Sequence, residues 1–327
     1  MDWEKTALRV GAAAIATALL MRLLGGGGAF VTRALTSPEF TAAIVYMETG
    51  RLVKPVVETA PVVLQETTAP VQTQTEPEAT EGNALPVFGT DDAKQIKINN
   101  VAGYKANVKN LLKQPLKWNL KGDKPTVLIL HSHATEGYKG TSGYRSKSKA
   151  KNMVAIGAEL KTLLEKEGIG VVHDKTLHDS PSYNDAYYNA RESIQKYLNK
   201  YPSIQLVLDL HRDAVTDEDG KQTGVAIKVG KTATAQLMLV VGTDAGGMSH
   251  PNWEKNMALA VKLNAQLERN TPGICRPISF RTQRFNQDLS PGALIVEVGA
   301  AGNTQKEALA AAKLLGQAVI DLAGGTG

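Results

Sequence analysis

The sequence predicts an α/β fold: a single domain with a central, mostly parallel sheet flanked by helices on both faces, preceded by a membrane anchor and a disordered linker. Three observations carry that prediction. From about residue 95 onward, continuous β-branched apolar runs recur, of the kind that is buried on both faces of a sheet. Amphipathic stretches of helical period lie between several of them. No repeat at solenoid spacing competes with one layered core.

The elements follow in chain order. Residues 1–33 hold the uncharged run VGAAAIATALLM, and apolar and glycine character resumes after Arg22. With Arg22 snorkelling, residues 10–31 cover about 30 Å of hydrocarbon at 1.5 Å per residue, which reads as an uncleaved signal anchor. A cleaved signal peptide and an interfacial helix are the alternatives. Within 34–54, Ser37-Pro38-Glu39 supplies an N-cap serine and a proline at the first helical position, and Gly50 is the matching stop. That predicts a short juxtamembrane helix. Residues 55–93 repeat Pro, Thr, Gln and Glu with few large apolar side chains, so they cannot bury enough surface to offset chain entropy and are expected to form a disordered tether. The domain proper is placed at 94–327. Its expected strands are 126–132, 169–173, 204–210, 224–230, 236–242 and 293–299, and its expected helices are 152–166, 184–199, 252–269 and 305–322.

Charge and cysteine content narrow the chemistry. The chain of 327 residues carries a formal charge of +5, but residues 55–93 contain seven acids and no Lys or Arg. From residue 94 onward there are 31 basic and 21 acidic side chains, a balance of +10. A body so basic suggests a polyanionic partner, whether nucleic acid, anionic lipid or an anionic cell-wall polymer; a merely solvated basic surface is the plain alternative. Aromatic residues make up only 5%, which leaves no stacking platforms for single-stranded nucleic acid. The lone Cys275 excludes an internal disulfide and any paired-thiolate metal site, so a metal here must be held by histidine and carboxylate.

Three strand ends carry residues that packing does not explain, at the position where α/β folds place their sites. In VLILHSHATEGY, His131 and His133 lie two apart, on one side of an extended chain, and Glu136 follows within a turn. A metal site and a hydrogen-bonded polar turn are the two readings. In LVLDLHRDA, His211 adds a distant ligand, Asp209 or Asp213 could orient its imidazole, and Arg212 could neutralise a carboxylate or an oxyanion. The competing reading is a structural salt-bridge cluster. In ALIVEVG, Glu297 interrupts a run that is otherwise apolar or small over 291–302. A carboxylate there is either paired with Arg or Lys or poised as the general base of a hydrolysis. Two histidines and a glutamate around Zn2+, with a position left for water, make the composition of a catalytic zinc site. His173 and His178 are expected at the surface, and His250 at a helix entry. Neither phosphate-loop spacing around Gly242 to Gly247 nor nucleophile-elbow glycines around Ser132 are present.

HSHATEGY, DLHRDA and RFNQDLSPGALIVEVGAAGNT, in that order, resemble the stage II sporulation protein P family, cell-wall amidases of endospore-forming bacteria whose catalytic domain is similar to zinc N-acetylmuramoyl-L-alanine amidases. The resemblance implies hydrolysis of the amide between the lactyl group of N-acetylmuramic acid and L-alanine in peptidoglycan, with peptide cross-links as a further target. It implies a single-pass membrane protein with an extracytoplasmic domain, working with stage II sporulation proteins D and M in engulfment, and no nucleic-acid partner. Aligned on VLILHSH, the first metal ligand falls on His133, the second histidine on His211 and the catalytic glutamate on Glu297. Related amidases place a glutamate ligand before the helix that follows the first strand, but RSKSKAKNMV has no acid. Glu136 is the nearest carboxylate and takes that place, with His131 the alternative third ligand or a group orienting one. A wall-binding scaffold of the same fold without turnover is the competing expectation.

Overall fold

The computed structural model describes residues 86–324 apart from Lys117. The expected anchor, the juxtamembrane helix and the tether up to residue 85 lie outside the described residues. Among the described residues no helix is long and apolar enough to cross a membrane.

Among the described residues nine strands and six α-helices follow in order: α1 (Thr90–Gln95), β1 (Ile98–Asn100), α2 (Val108–Lys113), β2 (Val127–Leu130), α3 (Met153–Lys166), β3 (Val171–His173), α4 (Ala186–Lys200), β4 (Leu206–Asp213), β5 (Ala226–Val229), β6 (Thr232–Ala235), β7 (Leu237–Val241), α5 (Trp253–Asn270), β8 (Ile278–Phe280), β9 (Ala293–Ala300) and α6 (Gln305–Leu322). Seven strands form one sheet in the order β1-β8-β7-β9-β4-β2-β3. Every neighbouring pair is parallel except β7 and β9, which run antiparallel. Two parallel blocks therefore meet back to back, and the carboxyl ends of β2, β4 and β9 share one edge. The mostly parallel sheet with helices on both faces is as the sequence predicts.

The apolar pattern explains the layering. In α3, Met153, Ile156, Gly157, Leu160 and Leu164 recur on one helical stripe and are buried. They join Val127 and Ile129 of β2, Leu208 and Leu210 of β4 and Leu294, Val296 and Val298 of β9, a face also covered by α5 and α6. The alternate residues Leu128, Leu130, Val207 and Ala293 pack on the other face, against Ala190 and Ile194 of α4. Each strand is apolar on both sides because each side has a helix to meet.

The structure departs from expectation in three places. The segment 224–230 does not enter the main sheet: β5 and β6 form a separate antiparallel pair, and burial alternates along β5 as in a half-exposed strand. The expected tether ends early, because residues 90–93 begin α1. Arg269 of α5 holds Asp92 through paired contacts of 2.6 and 2.7 Å and lies over the Phe88 ring, so the domain starts by about residue 86. Two of the acids assigned to the tether, Asp91 and Asp92, thus belong to the domain. Helix α2, too short to show a period, is fixed from outside: buried Lys262 donates to the carbonyls of Leu111 and Leu112 at 2.7 Å, capping its last turn.

His173 is not a surface group. Its Nε2 meets Nε2 of His131 at 2.9 Å, and His131 Nδ1 lies 3.2 Å from the Leu210 carbonyl. His173 is half-buried, and His178 is buried, with Nε2 3.1 Å from Asp174. The histidine pair lies against Gly157 of α3, where a Cβ would come 2.6 Å from His173 Nε2 and 2.7 Å from His131 Nε2. A glycine in mid-helix, ordinarily a cost, is what lets two rings fit between helix and sheet.

Two outcomes follow from that pair. Alanine for helical glycine usually gains up to about 1 kcal/mol, but Gly157→Ala is expected to lose about 1–3 kcal/mol through overpacking; thermal unfolding of Gly157→Ala alone and combined with His173→Ala, which should recover part of the loss, checks it. Burial holds His131 down to about 4 and His173 to about 3. The unfolded chain, with imidazoles near about 6.5, therefore takes up protons first as the pH falls. The pair's stabilisation is whole above about pH 6.5 and is lost toward pH 4. Melting profiles over that range should fall more steeply for the wild type than for His173→Gln.

Candidate active site

Strand alternation assembles the site. Asp209 and His211 follow Val207 on the α4 face of β4, and Ile295 and Glu297 follow Ala293 on the same face of β9. The register sets Asp209 beside Leu130 and Ile295, and His211 beside Glu297. On β2, Ser132 continues the face of Leu128 and Leu130, while His131 continues that of Val127 and Ile129 toward α3. His131 and His133 therefore do not act as a pair on one side: the strand ends at Leu130, His131 turns to His173, and the chain bends so that the His133 ring centroid lies 5.5 Å from that of His211. Both His131 nitrogens have partners, so it is not available as the third ligand.

A buried polar group on β4 ties the edges together. Asp209 accepts from Ser132 N at 2.8 Å and Ser132 Oγ at 2.6 Å, and its Oδ1 stands 2.9 Å from His211 Nε2. The latter is an ion-pair contact rather than an aligned hydrogen bond, since His211 Nε2 has no hydrogen-bond partner. The other ring nitrogen, Nδ1, faces Glu136 Oε2 at 3.7 Å. Glu136 in turn accepts from the Arg212 backbone N at 3.1 Å, with Arg212 Nη1 3.9 Å from its Oε1. Glu297 stands beside His211 with Oε2 buried and unpartnered.

The charges are mutually dependent. Burial by itself would push His211 down, but Asp209, Glu136 and Glu297 around it override this and raise it to about 10. Burial likewise works to raise Asp209, yet His211 and the Ser132 donors hold it below the ordinary carboxylate range. Glu136 is raised by burial against the pull of His211 and Arg212. Burial lifts Glu297 to about 8. His133, buried and facing His211, is held down to about 3, with Nδ1 unpartnered. It is a neutral imidazole with a buried free nitrogen.

Arg212 takes the carboxylate-neutralising role of the two expected of it. Its guanidinium also donates to the carbonyls of Gly137 and Tyr144 at 3.1 Å, so it is engaged with the loop after Glu136. Asp213 is turned away, 2.6 Å from Arg276, and does not orient His211. His250 lies just before α5, buried, with neither ring nitrogen hydrogen-bonded.

The sequence reading missed the aromatic wall. Tyr183 stacks on His133 at 4.2 Å, and Tyr187 lies 5.4 Å from His133, 6.1 Å from His211 and 5.6 Å from Phe285. Arg145 lies over the Tyr183 ring at 4.5 Å and is anchored by Asp179 at 2.6 Å, which also accepts from Thr135. Tyr183 and Tyr187 are four apart at the start of a predicted helix, a spacing that marks one face and was the available signal.

Among the described residues no three His, Cys or carboxylate side chains form a ready metal-holding group. The donors nevertheless fit a zinc ion in kind: one neutral imidazole with a buried free nitrogen, one imidazole contacted by a carboxylate on its far side, and one buried carboxylate. The residues that fit are His133, His211 and Glu136, with Glu297 adjoining.

A family model described as stage II sporulation protein P matches residues 46–320. The chain is 28% identical over 233 residues to stage II sporulation protein P of Bacillus subtilis (strain 168), an alignment covering 66% of this chain and 55% of that protein. The chain thus spans little more than half the length of that relative. Among solved structures it is similar to the N-acetylmuramoyl-L-alanine amidase AmiC2 of Nostoc punctiforme (18% identity, 62% of this chain and 96% of that one, TM-score 0.38). It is also similar to the N-acetylmuramyl-L-alanine amidase Ami1 of Mycobacterium smegmatis (12% identity, 63% and 99%, TM-score 0.38).

The charge balance makes one outcome measurable without substrate. In Asp209→Asn the His211 imidazole loses a carboxylate, and its titration midpoint in the metal-free protein should drop by about 1–3 pH units; imidazole NMR resonances against pH check it. An unchanged midpoint would mean that Asp209 does not hold His211 charged.

Proposed function

The chain belongs to the stage II sporulation protein P family, and from that membership we propose that it is a peptidoglycan hydrolase of endospore formation: a zinc-dependent amidase cleaving the amide between the lactyl group of N-acetylmuramic acid and L-alanine. Cross-link cleavage is a further activity of the same reading. The observation that carries it is the register placing His211 beside Glu297, with Glu136 and His133 facing them at the shared strand edge.

Each group has a task. His133, His211 and Glu136 would hold the zinc ion, which when bound supplies Lewis acidity to the scissile carbonyl and to water. Glu297, whose carboxyl burial raises to about 8 in the metal-free chain, adjoins that set and would accept a proton from the attacking water and return it to the leaving alanine nitrogen. Asp209 fixes the far side of the His211 ring, and Arg212 keeps Glu136 compensated. Tyr183 covers the face of His133 and Tyr187 its edge, narrowing access by water.

The apolar N-terminal segment supports a single-pass anchor, and the family supports an extracytoplasmic domain with stage II sporulation proteins D and M as partners. A wall-binding scaffold without turnover is the second reading, favoured by the lack of a ready three-donor group among the described residues.

With the full chain in detergent, peptidoglycan sacculi should release new L-alanine amino termini. Glu297→Gln should lower that rate by about 10²–10⁴-fold, and chelation should abolish it, with zinc restoring it. Activity that survives chelation would sink the zinc reading; no release, with intact sacculus binding, would favour the scaffold.

A further inference from the structure

The loop from Gly137 to Asn152 departs from Glu136 and returns to it, and its charge is one-sided. Residues 137–158 hold Lys139, Arg145, Lys147, Lys149 and Lys151 and no carboxylate. Arg145 is committed to Asp179 and Tyr183, but the four lysines are exposed and none makes an ion pair among the described residues. The backbone that carries them is fastened. Gly137 N donates to the Tyr144 carbonyl at 2.8 Å, Ser146 N to that of Thr135 at 2.7 Å and Met153 N to that of Glu136 at 3.1 Å. Further out, Gln305 at the start of α6 donates to the Ala150 carbonyl at 2.8 Å, and Lys139 N to the Asn303 carbonyl at 2.9 Å. Lys306, also exposed, follows directly.

A closed loop of about this length pinned at both ends is a rigid surface feature of the kind that carries function. Glu307 lies within electrostatic reach of Lys139, and the one-signed charge carried by Lys147, Lys149 and Lys151 attracts an anionic ligand. We propose that this loop is a binding rim for an extended carboxylate-bearing polymer, the peptide stems of the wall strand that passes the site. It grips the polymer beside the scissile bond while taking no part in the chemistry. The proposal rests on the reading of the site as a wall hydrolase for its choice of polymer.

The test compares the full-length wild type in detergent with Lys147→Glu/Lys149→Glu/Lys151→Glu and a matched control, Lys105→Glu/Lys109→Glu/Lys113→Glu, whose lysines are exposed around α2. Thermal unfolding establishes that all three are folded. Binding to sacculi stripped of phosphate polymers should be about tenfold or more weaker in the loop variant at low salt, and its salt dependence should flatten; the control should follow the wild type. Sacculi with amidated carboxylates should bind the wild type as weakly as the loop variant. Turnover of one soluble disaccharide–peptide unit by the wild type reports separately on the hydrolase reading. Undiminished binding by the loop variant, or a loss confined to unstripped sacculi or to vesicles of anionic phospholipid, would overturn the proposal. Failure of the hydrolase reading would appear instead as absent turnover of the single unit, while the binding comparison would still report on the rim.

Discussion

The parallel pairing of β4 with β9 is the constraint on which the rest of the site depends. Because side chains alternate with a period of two, one register places Asp209, His211, Ile295 and Glu297 on the α4 face together, and a slip of one residue would send His211 and Glu297 to opposite faces. The flanking apolar residues hold that register. Leu208, Leu210, Leu294, Val296 and Val298 on one face and Val207 and Ala293 on the other have helices to meet only in this alignment. The chemistry at the strand ends is positioned by the packing of the strand middles.

Burying so many polar groups at one edge is costly unless each is compensated, and the compensation is shared. Asp209 is answered by Ser132 and His211, Glu136 by His211 and Arg212, and Arg212 by the carbonyls of the loop beyond. What remains unanswered is informative. His133 Nδ1, His211 Nε2 and Glu297 Oε2 are buried without hydrogen-bond partners, and in the proposed reaction a cation and a moving proton would supply the first and the last. His131, two residues from His133 along the chain, is the contrasting case: both its ring nitrogens have partners, in His173 and the Leu210 carbonyl, and it packs against α3.

Much of this was legible in the sequence, for physical reasons. Long helices announce themselves through period: expected spans 152–166, 184–199, 252–269 and 305–322 became α3, α4, α5 and α6 with shifts of two residues or fewer. Polar residues ending apolar strands were equally visible, and His133, Glu136, Asp209, His211 and Glu297 do come together. Short elements were not legible, because β1, β8 and α2 have too few residues to show a pattern and are held by partners distant in sequence, as Lys262 holds α2. Nor was the fate of His131 and His173, since whether two histidines two apart stay on one side depends on where the strand stops. The aromatic wall came from a loop and a helix start, where the binary pattern says little about direction.

The central claim is that His133, His211 and Glu136 form one metal-holding set from which His131 is excluded and to which Glu297 is adjacent but not a member. Zinc content of the purified full chain after equilibration with the metal tests this most directly. The account predicts one zinc per chain, retained in His131→Ala and Glu297→Gln and lost in His133→Ala and His211→Ala. Zinc retained without His133 or His211, or lost on removal of His131 alone in a folded protein, would contradict it.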